Sequence, residues 1–370
     1  MPQPTEAQDD FALDEIPPPP PVHYAEQALL GALLLEPHRL KTIGALLPEH
    51  FAGHSHQVLF TAMRGTPPPA PAEHTASPLW LNALLDVARP EAPGLTVPHL
   101  HHLVQSCPAP AHAAAYARMV RADHARRTLH RHAQQLAQAA TDPGLPNPAA
   151  AVLRQADALA AVLDEIAGQF TPHPGSLPRT PLPDPAPRDT SEEALDEERM
   201  LLASATAHPT EVARMRWLQP GDFTLPLHAA LFHCVWALAH RGDPVDPVTV
   251  LWEAQHRGLV IQDVTPAELM QLVATPAGPP EHWGQLILQR ALLAQAHTAA
   301  IRVIAFTNDP ANTPYQFLTG GRRALADLTA LRARWQRTIP AKPPAPGPRT
   351  TATSRAGPPR TAAPTTRATR

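Results

Sequence analysis

The apolar residues of this chain follow the 3.6-residue period of an α-helix, and no segment shows the two-residue alternation of a β-strand. The first apolar segment, ALLGALLL at 28–35, places four leucines on one helix face: Leu29, Leu30, Leu33 and Leu34. It is too short to cross a bilayer, which takes about 20 residues. The segment therefore predicts a helix that buries its leucines in a core, and Pro37 ends that helix.

Further helices are predicted by the same period and by residues that open helices. In the first half they lie around 40–46, 58–63, 79–88, 97–106 and 111–140. Asn147 and Pro148 open one more, because an Asn N-cap followed by Pro is a typical helix start. In the second half, helices are predicted to open at Thr190, Asp246, Thr265 and Thr313. The ordered part of the chain is thus predicted to be all-α.

Proline-rich segments divide the chain into two helical blocks. The 370 residues include 48 prolines, which cluster in 1–21, 171–189 and 339–370. Proline fixes φ and lacks a backbone N–H, so these segments predict a disordered leader, a semi-rigid spacer and a disordered tail. At about 3.1 Å per residue the spacer would reach on the order of 60 Å. The predicted helical domains are 22–170 and 190–338.

The two blocks repeat each other. When residue i is aligned with residue i + 172, ten identities fall within 25–63 without a gap. The repeated positions predict that one helical unit was duplicated and that each copy has its own core. The core positions predicted from the repeat are Leu30, Phe51 and Phe60 in the first copy and Leu202, Phe223 and Phe232 in the second.

The repeated segments resemble a known domain. The first copy reads AEQALLGALLLEPHRL and LLPEHFAGHSHQVLFTAM, and the second LQPGDFTLPLHAALFHCVWALAHRGDPVDPVTVLWEAQHRG. Both resemble the N-terminal domain of the DnaB family of replicative DNA helicases, over 22–169 and 190–338. The resemblance implies two tandem helical domains, each a helical globule with a trailing helical hairpin. RGDPVDPVTV matches a family feature that the first copy has lost to its proline-rich loop.

The resemblance also implies a function. In that family the domain pairs with its neighbours in a collar above the motor ring and docks primase and loader proteins. This implies a non-catalytic accessory or adaptor protein of DNA replication, which contacts a replicative helicase, a primase or a helicase loader within the primosome. We expect docking on the apolar hairpin faces, within 145–170 and 313–337. Neither Lys41 nor Lys342 lies in a P-loop, so no ATPase activity and no enzyme are predicted.

The charge distribution leaves an alternative function open. The formal net charge is −3, yet residues 341–370 carry only basic side chains. Such a tail could bind nucleic acid weakly and without sequence preference, which would make the chain a DNA-tethering or regulatory protein whose helical domains dimerise. A flexible, solvated tail is the competing interpretation. Homo-oligomerisation also stays open.

No cofactor or metal is predicted. The chain has 21 histidines, and His99, His101 and His102 lie close together, but no zinc-ligand spacing is present. The two cysteines, Cys107 and Cys234, do not form a CxxC pair. The composition therefore indicates a reducing compartment, and with no signal peptide or membrane segment seen we expect a cytoplasmic protein.

The remaining candidate positions are histidines and arginines. His56 and His228 recur in the repeat, and no nucleophile or carboxylate is seen to recur with them. They are therefore predicted to form hydrogen bonds in the core or at a helix start, and no catalytic residue is predicted. Arg322 and Arg323 follow TGG in the last helix. They are candidate contacts for an acidic partner or a phosphate, with a solvated helix face as the alternative.

Overall fold

The structure is a computed structural model that describes residues 18–170, 177–183, 189–259, 265–273 and 278–338. All regular elements within these residues are helices, so the predicted all-α class is confirmed. The predicted leader and tail lie outside the described residues, apart from 18–21. No helix in the described ranges is long and apolar enough to span a membrane.

The first half contains a globule of five helices followed by two long helices. The α-helices are α1 Pro21–Leu35, α2 His54–Gly65, α3 Pro71–Ala76, α4 Leu79–Ala88, α5 Val97–Gln105, α6 Ala113–Thr141 and α7 Pro148–Gln169. Short 3-10 helices lie at Pro37–Lys41, Pro48–His50 and Pro110–His112. The helix predicted around 40–46 is therefore wrong apart from 40–41, which end the first of these 3-10 helices, and Ile43 and Leu46 are buried in the loop that follows.

The second half has a similar order of elements. Its α-helices are α8 Glu192–Ala207, α9 Pro209–Val212, α10 Pro226–Arg241, α11 Pro247–His256, α12 Pro266–Leu272, α13 Pro280–Asn308 and α14 Pro314–Thr338. A 3-10 helix lies at Pro220–Asp222, α9 stands in place of the first 3-10 helix of the first half, and α3 has no counterpart among the described residues. α6 and α7 form one helical hairpin, and α13 and α14 form the other.

Side-chain caps start several helices where the sequence places them. Asn147, Asp246 and Thr265 each accept a hydrogen bond from a backbone N–H of the helix they open. At α8 the prediction is off by one residue. The N-cap is Ser191, whose hydroxyl accepts from the backbone N–H of Ala194 at 3.3 Å, and not Thr190.

Gly31 lets α1 and α5 touch. A Cβ at this position would lie 2.1 Å from the carbonyl oxygen of Leu103, so any side chain would force the two helices apart. In the second globule Ala203 occupies the aligned position. There a groove of about 420 Å³ lies between α8 and α12, beside Ala203 and Leu272. The two copies thus share their core and differ in how closely their last small helix packs.

The two hairpins pack on each other into one four-helix bundle. α13 lies against both α14 and α6, and α6 lies against α7. The buried positions of α6 and α13 have the same spacing, so equivalent faces of the two copies meet. These positions are Ala125, Leu129, Ala133 and Leu136 of α6, and Leu292, Ala296, Ala300 and Val303 of α13.

Arg126 of α6 fastens the bundle at the end of α13. Its guanidinium donates to the carbonyl oxygens of Thr307 at 3.2 Å, Asp309 at 2.7 Å and Asn312 at 2.7 Å. Carbonyls at a helix C-terminus lack intrahelical partners, and arginine carries five donors that can satisfy several of them. Arg126 lies in the first half of α6 and reaches the C-terminal end of α13, so the two helices run in opposite directions.

The described part of the proline-rich spacer lies on the second hairpin. Within 177–183, the backbone N–H of Arg179 donates to Asn312 Oδ1 at 2.9 Å, and the hydroxyl of Thr180 donates to Asp309 Oδ2 at 2.6 Å. Because the hairpins are in direct contact, the spacer does not hold the two copies 60 Å apart. Its remaining residues, 171–176 and 184–188, are outside the described ranges.

The bundle also corrects the expected docking surface. The stripe of α7, which includes Leu159 and Leu163, and that of α14, which includes Phe317 and Leu328, are buried in the shared bundle core. An apolar face already covered within the chain is not exposed to another protein. The hairpin faces therefore join the two copies, and the surfaces left exposed are those of the globules and the polar outside of the bundle.

Candidate interaction site

Each globule is built around a pair of phenylalanines that the repeat singles out. The ring centroids of Phe51 and Phe60 are 5.0 Å apart, and those of Phe223 and Phe232 are 5.5 Å apart. Both pairs are tilted, at 42° and 39°, which is a favourable arrangement for aromatic quadrupoles. All four rings are buried, as are the repeated leucines Leu30 and Leu202.

A buried glutamate–histidine pair recurs at the same place in both globules. In the first, Glu26 Oε2 accepts from His56 Nδ1 at 2.6 Å, and Glu26 Oε1 accepts from the backbone N–H of Ala52 at 2.5 Å. In the second, Glu198 Oε2 accepts from His228 Nδ1 at 2.8 Å, and Glu198 Oε1 from the backbone N–H of Thr224. Each carboxylate thus ties the first helix of its globule to the loop that precedes α2 or α10.

The two glutamates were not identified from the sequence as partners of the histidines. The repeat contains the signal, because Glu26 aligns with Glu198 just as His56 aligns with His228. What the sequence did not show is that residues 30 apart, in two different helices, touch. The pair is almost wholly enclosed, with side chains at most 5 % exposed, and its acceptors are used by backbone amides. Its geometry fits the predicted core hydrogen-bonding role, since a general base must reach a substrate proton.

We predict that Glu26→Ala lowers the free energy of unfolding by about 3 kcal/mol, because the substitution leaves both the buried His56 ring and the amide of Ala52 without an acceptor. In the Glu26→Ala protein, His56→Ala should lower the free energy of unfolding by less than it does in the wild type, since the partner of His56 is already lost. The measurement is urea denaturation followed by circular dichroism. The exposed Glu165→Ala is the control, with an expected change below about 0.5 kcal/mol. Additive effects of the two substitutions would contradict the pairing.

The loops before α2 and α10 each contain a side chain that accepts a backbone hydrogen bond, and the two residues, His50 and Asp222, are aligned in the repeat. In the first copy His50 Nδ1 accepts from the backbone N–H of Leu47 at 3.2 Å. In the second, Asp222 Oδ2 accepts from the backbone N–H of Gln219 at 2.7 Å. Asp222 also binds Arg334 of α14, so this cap links the second globule to its hairpin.

The surroundings of His50 disfavour its charged form. Burial, with the nearby His124 ring next in size, lowers the pKa of His50 from 6.5 to about 4. Arg121 and Arg127 act in the same direction, and Glu49 opposes them. Protonation at Nδ1 would also remove the acceptor for Leu47. The folded state therefore binds fewer protons than the unfolded state between pH 6.5 and about 4, and stability falls as the pH falls through this range.

We predict that His50→Asn removes part of this acid sensitivity, because an amide oxygen can accept from Leu47 and does not titrate. The free energy of unfolding should be measured from pH 7.5 to 4.5 for the wild type, for His50→Asn and for the exposed control His38→Asn. His50→Asn should lose less stability than the wild type as the pH falls. Parallel curves for all three proteins would contradict the assignment.

Histidines gather around the first pair without forming a metal site. His23 stacks on His56 with ring centroids 5.6 Å apart, and His99 lies 6.4 Å from His56. Burial, together with the neighbouring histidines, lowers the pKa of His99. Within the described ranges no group of three or more His, Cys, Asp or Glu side chains is arranged to hold a metal ion.

The two candidate arginines have different surroundings. Arg322 of α14 donates to Asp164 of α7 at 2.8 Å, so its charge is already paired across the bundle, although both groups are well exposed. Arg323 is also exposed and lines a cavity of about 530 Å³ that the spacer residues Leu177 and Pro178 border. The structure therefore leaves Arg323 as the freer of the two for a partner.

The most exposed large apolar side chains of the two globules lie on one helix of each. On α4, Leu79 is 74 % exposed and Val87 59 %. On α11, Val248 is 65 % exposed and Trp252 62 %. Exposed tryptophan is uncommon on a monomer surface and frequent at protein interfaces. α4 and α11 occupy the same place in the order of elements, so the chain presents two related apolar surfaces, one per globule.

The architecture defines a class: two copies of one helical globule, each followed by a hairpin, with the hairpins fused into one bundle. A family model described as the DnaB-like helicase N-terminal domain matches residues 18–122 and 190–287, which together make up more than half of the chain. The chain belongs to this family and carries its domain twice. The matched segments contain both globules, and most of each hairpin lies beyond them. No solved structure matches the chain.

Proposed function

We propose that this protein is a non-catalytic adaptor of the DNA replication machinery that contacts the replicative helicase, the primase or the helicase loader in the cytoplasm. The observation that supports the proposal most is the tandem pair of domains of a helicase-collar family, joined through equivalent hairpin faces. Collar domains act by pairing and docking, so a chain that carries two of them, already paired, suits a protein-binding role. Its two proposed functional units are residues 22–170 and 190–338.

Two related surfaces on one chain support bivalent binding. The apolar positions of α4 and α11 are exposed, whereas the hairpin faces are buried. If each surface binds one subunit of a ring-shaped partner, the second contact is intramolecular and gains from effective concentration. Because the bundle joins the two copies directly, the spacing of the surfaces is set by helix packing. Arg323, and Arg322 if Asp164 releases it, would contact acidic groups of the partner.

Binding can be tested with variants of the two surfaces in the full chain. The first carries Leu79→Ser and Val87→Ser, the second Val248→Ser and Trp252→Ser, and the third all four. Dissociation constants for purified helicase, primase and loader from the same host are the measurement. We expect each pair of substitutions to weaken binding to one of them by at least about tenfold, and all four to abolish it.

The control for this test is Tyr24→Ser, an exposed aromatic position on α1. Binding of that variant should equal the wild type. Failure of the wild type to bind any of the three proteins would contradict the adaptor function. Binding that survives all four substitutions in the folded protein would contradict the placement on α4 and α11.

The basic tail supports a second candidate function. Residues 341–370 carry six basic and no acidic side chains, which would allow weak, salt-sensitive contact with DNA. A gel shift with and without these residues distinguishes this candidate from the first. DNA binding that requires the tail, without any replication partner, would favour a tethering role in which the helical domains dimerise.

A further inference from the structure

The second globule carries an aromatic groove that the adaptor function does not use. Its volume is about 420 Å³, and it lies between α10 and the loop that runs from 216 to 222. The residues that line it are Arg216, Leu218, Pro220, Phe232, His233, Trp236 and His240. The indole of Trp236 is stacked on the ring of His240, with centroids 5.0 Å apart and planes 6° apart. This pair makes a flat apolar wall that is held in place before anything binds.

The first globule lacks this wall. In the repeat register Arg64 stands at the position of Trp236, and Gly44 at the position of Arg216. Phe60 and Phe232, which form the floor, are shared and buried in both copies. The two copies therefore have the same core, and the wall formed by Trp236 belongs to the second copy.

The last described helix ends beside this groove. Arg334 of α14 donates to the carbonyl oxygen of Trp217 at 3.1 Å and binds Asp222, so it holds both ends of the loop that forms one side of the groove. Thr338, one turn further on, accepts from Gln285 at 3.2 Å and is the last described residue of α14. The chain beyond Thr338 therefore starts one helical turn after the residue that binds the groove's loop.

The composition of that chain segment fits an aromatic groove. Residues 339–348 read IPAKPPAPGP, with prolines at 340, 343, 344, 346 and 348. Proline-rich segments bind between aromatic rings because they lose little conformational entropy and offer flat apolar rings. Ten residues of polyproline reach about 31 Å, which is enough to cover a groove next to the point of attachment. Lys342 is the one charged residue, so binding would rest on apolar contact.

The molecule already contains a related arrangement. Pro178 of the proline-rich spacer and Phe306 of α13 border the same cavity beside Arg323. Gly320 makes room for it, because a Cβ there would lie 2.5 Å from Pro178 Cγ and 2.7 Å from the Phe306 ring. The side-chain amide of Gln316 donates to the backbone carbonyl oxygen of Leu177 at 3.0 Å and holds the same segment. One proline-rich segment of this chain thus lies beside an aromatic ring of its own helices.

We propose that residues 339–348 bind within the same chain to the aromatic groove of the second globule, with prolines packed on Trp236. The docked segment would cover a surface that distinguishes the second copy from the first, and it would fix where the basic tail leaves the molecule. The acidic leader, residues 1–17, is the competing occupant because Arg216 lies at the groove. It carries no clustered prolines before Pro17 and is attached at α1, in the other globule.

Photo-cross-linking in the full chain tests this proposal. A benzophenone amino acid replaces Ala345, and in a second protein it replaces Ala363 in the distal tail. We expect the probe at 345 to cross-link to peptides that contain 216–220 or 232–240, at a yield that does not change with protein concentration. The yield at these peptides should be at least about fivefold higher than from position 363, because only the proximal segment is bound.

Two variants show whether the groove and the prolines are responsible. Trp236→Ala should reduce the yield at least about fivefold, whereas Trp252→Ala, an exposed tryptophan away from the groove, should leave it unchanged. Replacing Pro340, Pro343, Pro344 and Pro346 with Ala should give the same loss, and it cannot unfold the globule because it alters only the tail. Equal yields from 345 and 363, retained yield in either variant, cross-links to residues 1–17 in the groove, or cross-links only between copies would each overturn the proposal.

Discussion

Mutual burial of the two hairpins is the interaction on which the architecture depends. α6, α7, α13 and α14 each carry an apolar stripe that would face water if its copy stood alone, and the bundle covers all four stripes at once. Burial of apolar surface is the largest favourable term in association of this kind. Arg126 fixes the position of α6 along α13, because it binds carbonyl oxygens at the C-terminal end of α13. A duplicated domain thereby becomes one rigid pair.

Inside each globule, buried polar groups also join separate elements. Glu26 and Glu198 are buried carboxylates whose charge is tolerated because histidine and backbone N–H groups surround them. They are positioned by the helix that also carries the repeated leucines, so one helix supplies both the core and the tie to the next loop. Nothing in this arrangement provides an open centre for chemistry. The surfaces that we propose for binding are therefore those that the cores leave exposed, on α4 and α11, and the aromatic groove of the second copy.

The sequence was sufficient for most of the helices, the duplication and the family, because leucine spacing and helix caps are local signals that can be recognised in one sequence. It was not sufficient for contacts between distant segments. The apolar stripe of α7 looks the same whether it binds another protein or α14, so its burial within the chain could not be predicted. The Glu26–His56 pair was hidden for the same reason. The proline-rich spacer was expected to separate the copies, but composition does not show that Thr180 and Arg179 bind α13 and its following loop.

Cleavage of the connection between the copies tests the central claim most directly. A protease site inserted between 184 and 188 would cut the chain between α7 and α8, leaving both hairpins intact. If the hairpins hold the molecule together, the two fragments will elute as one complex in size-exclusion chromatography after cleavage, even at low micromolar concentration. Fragments that elute separately while each remains helical would contradict the shared bundle and the paired architecture built on it.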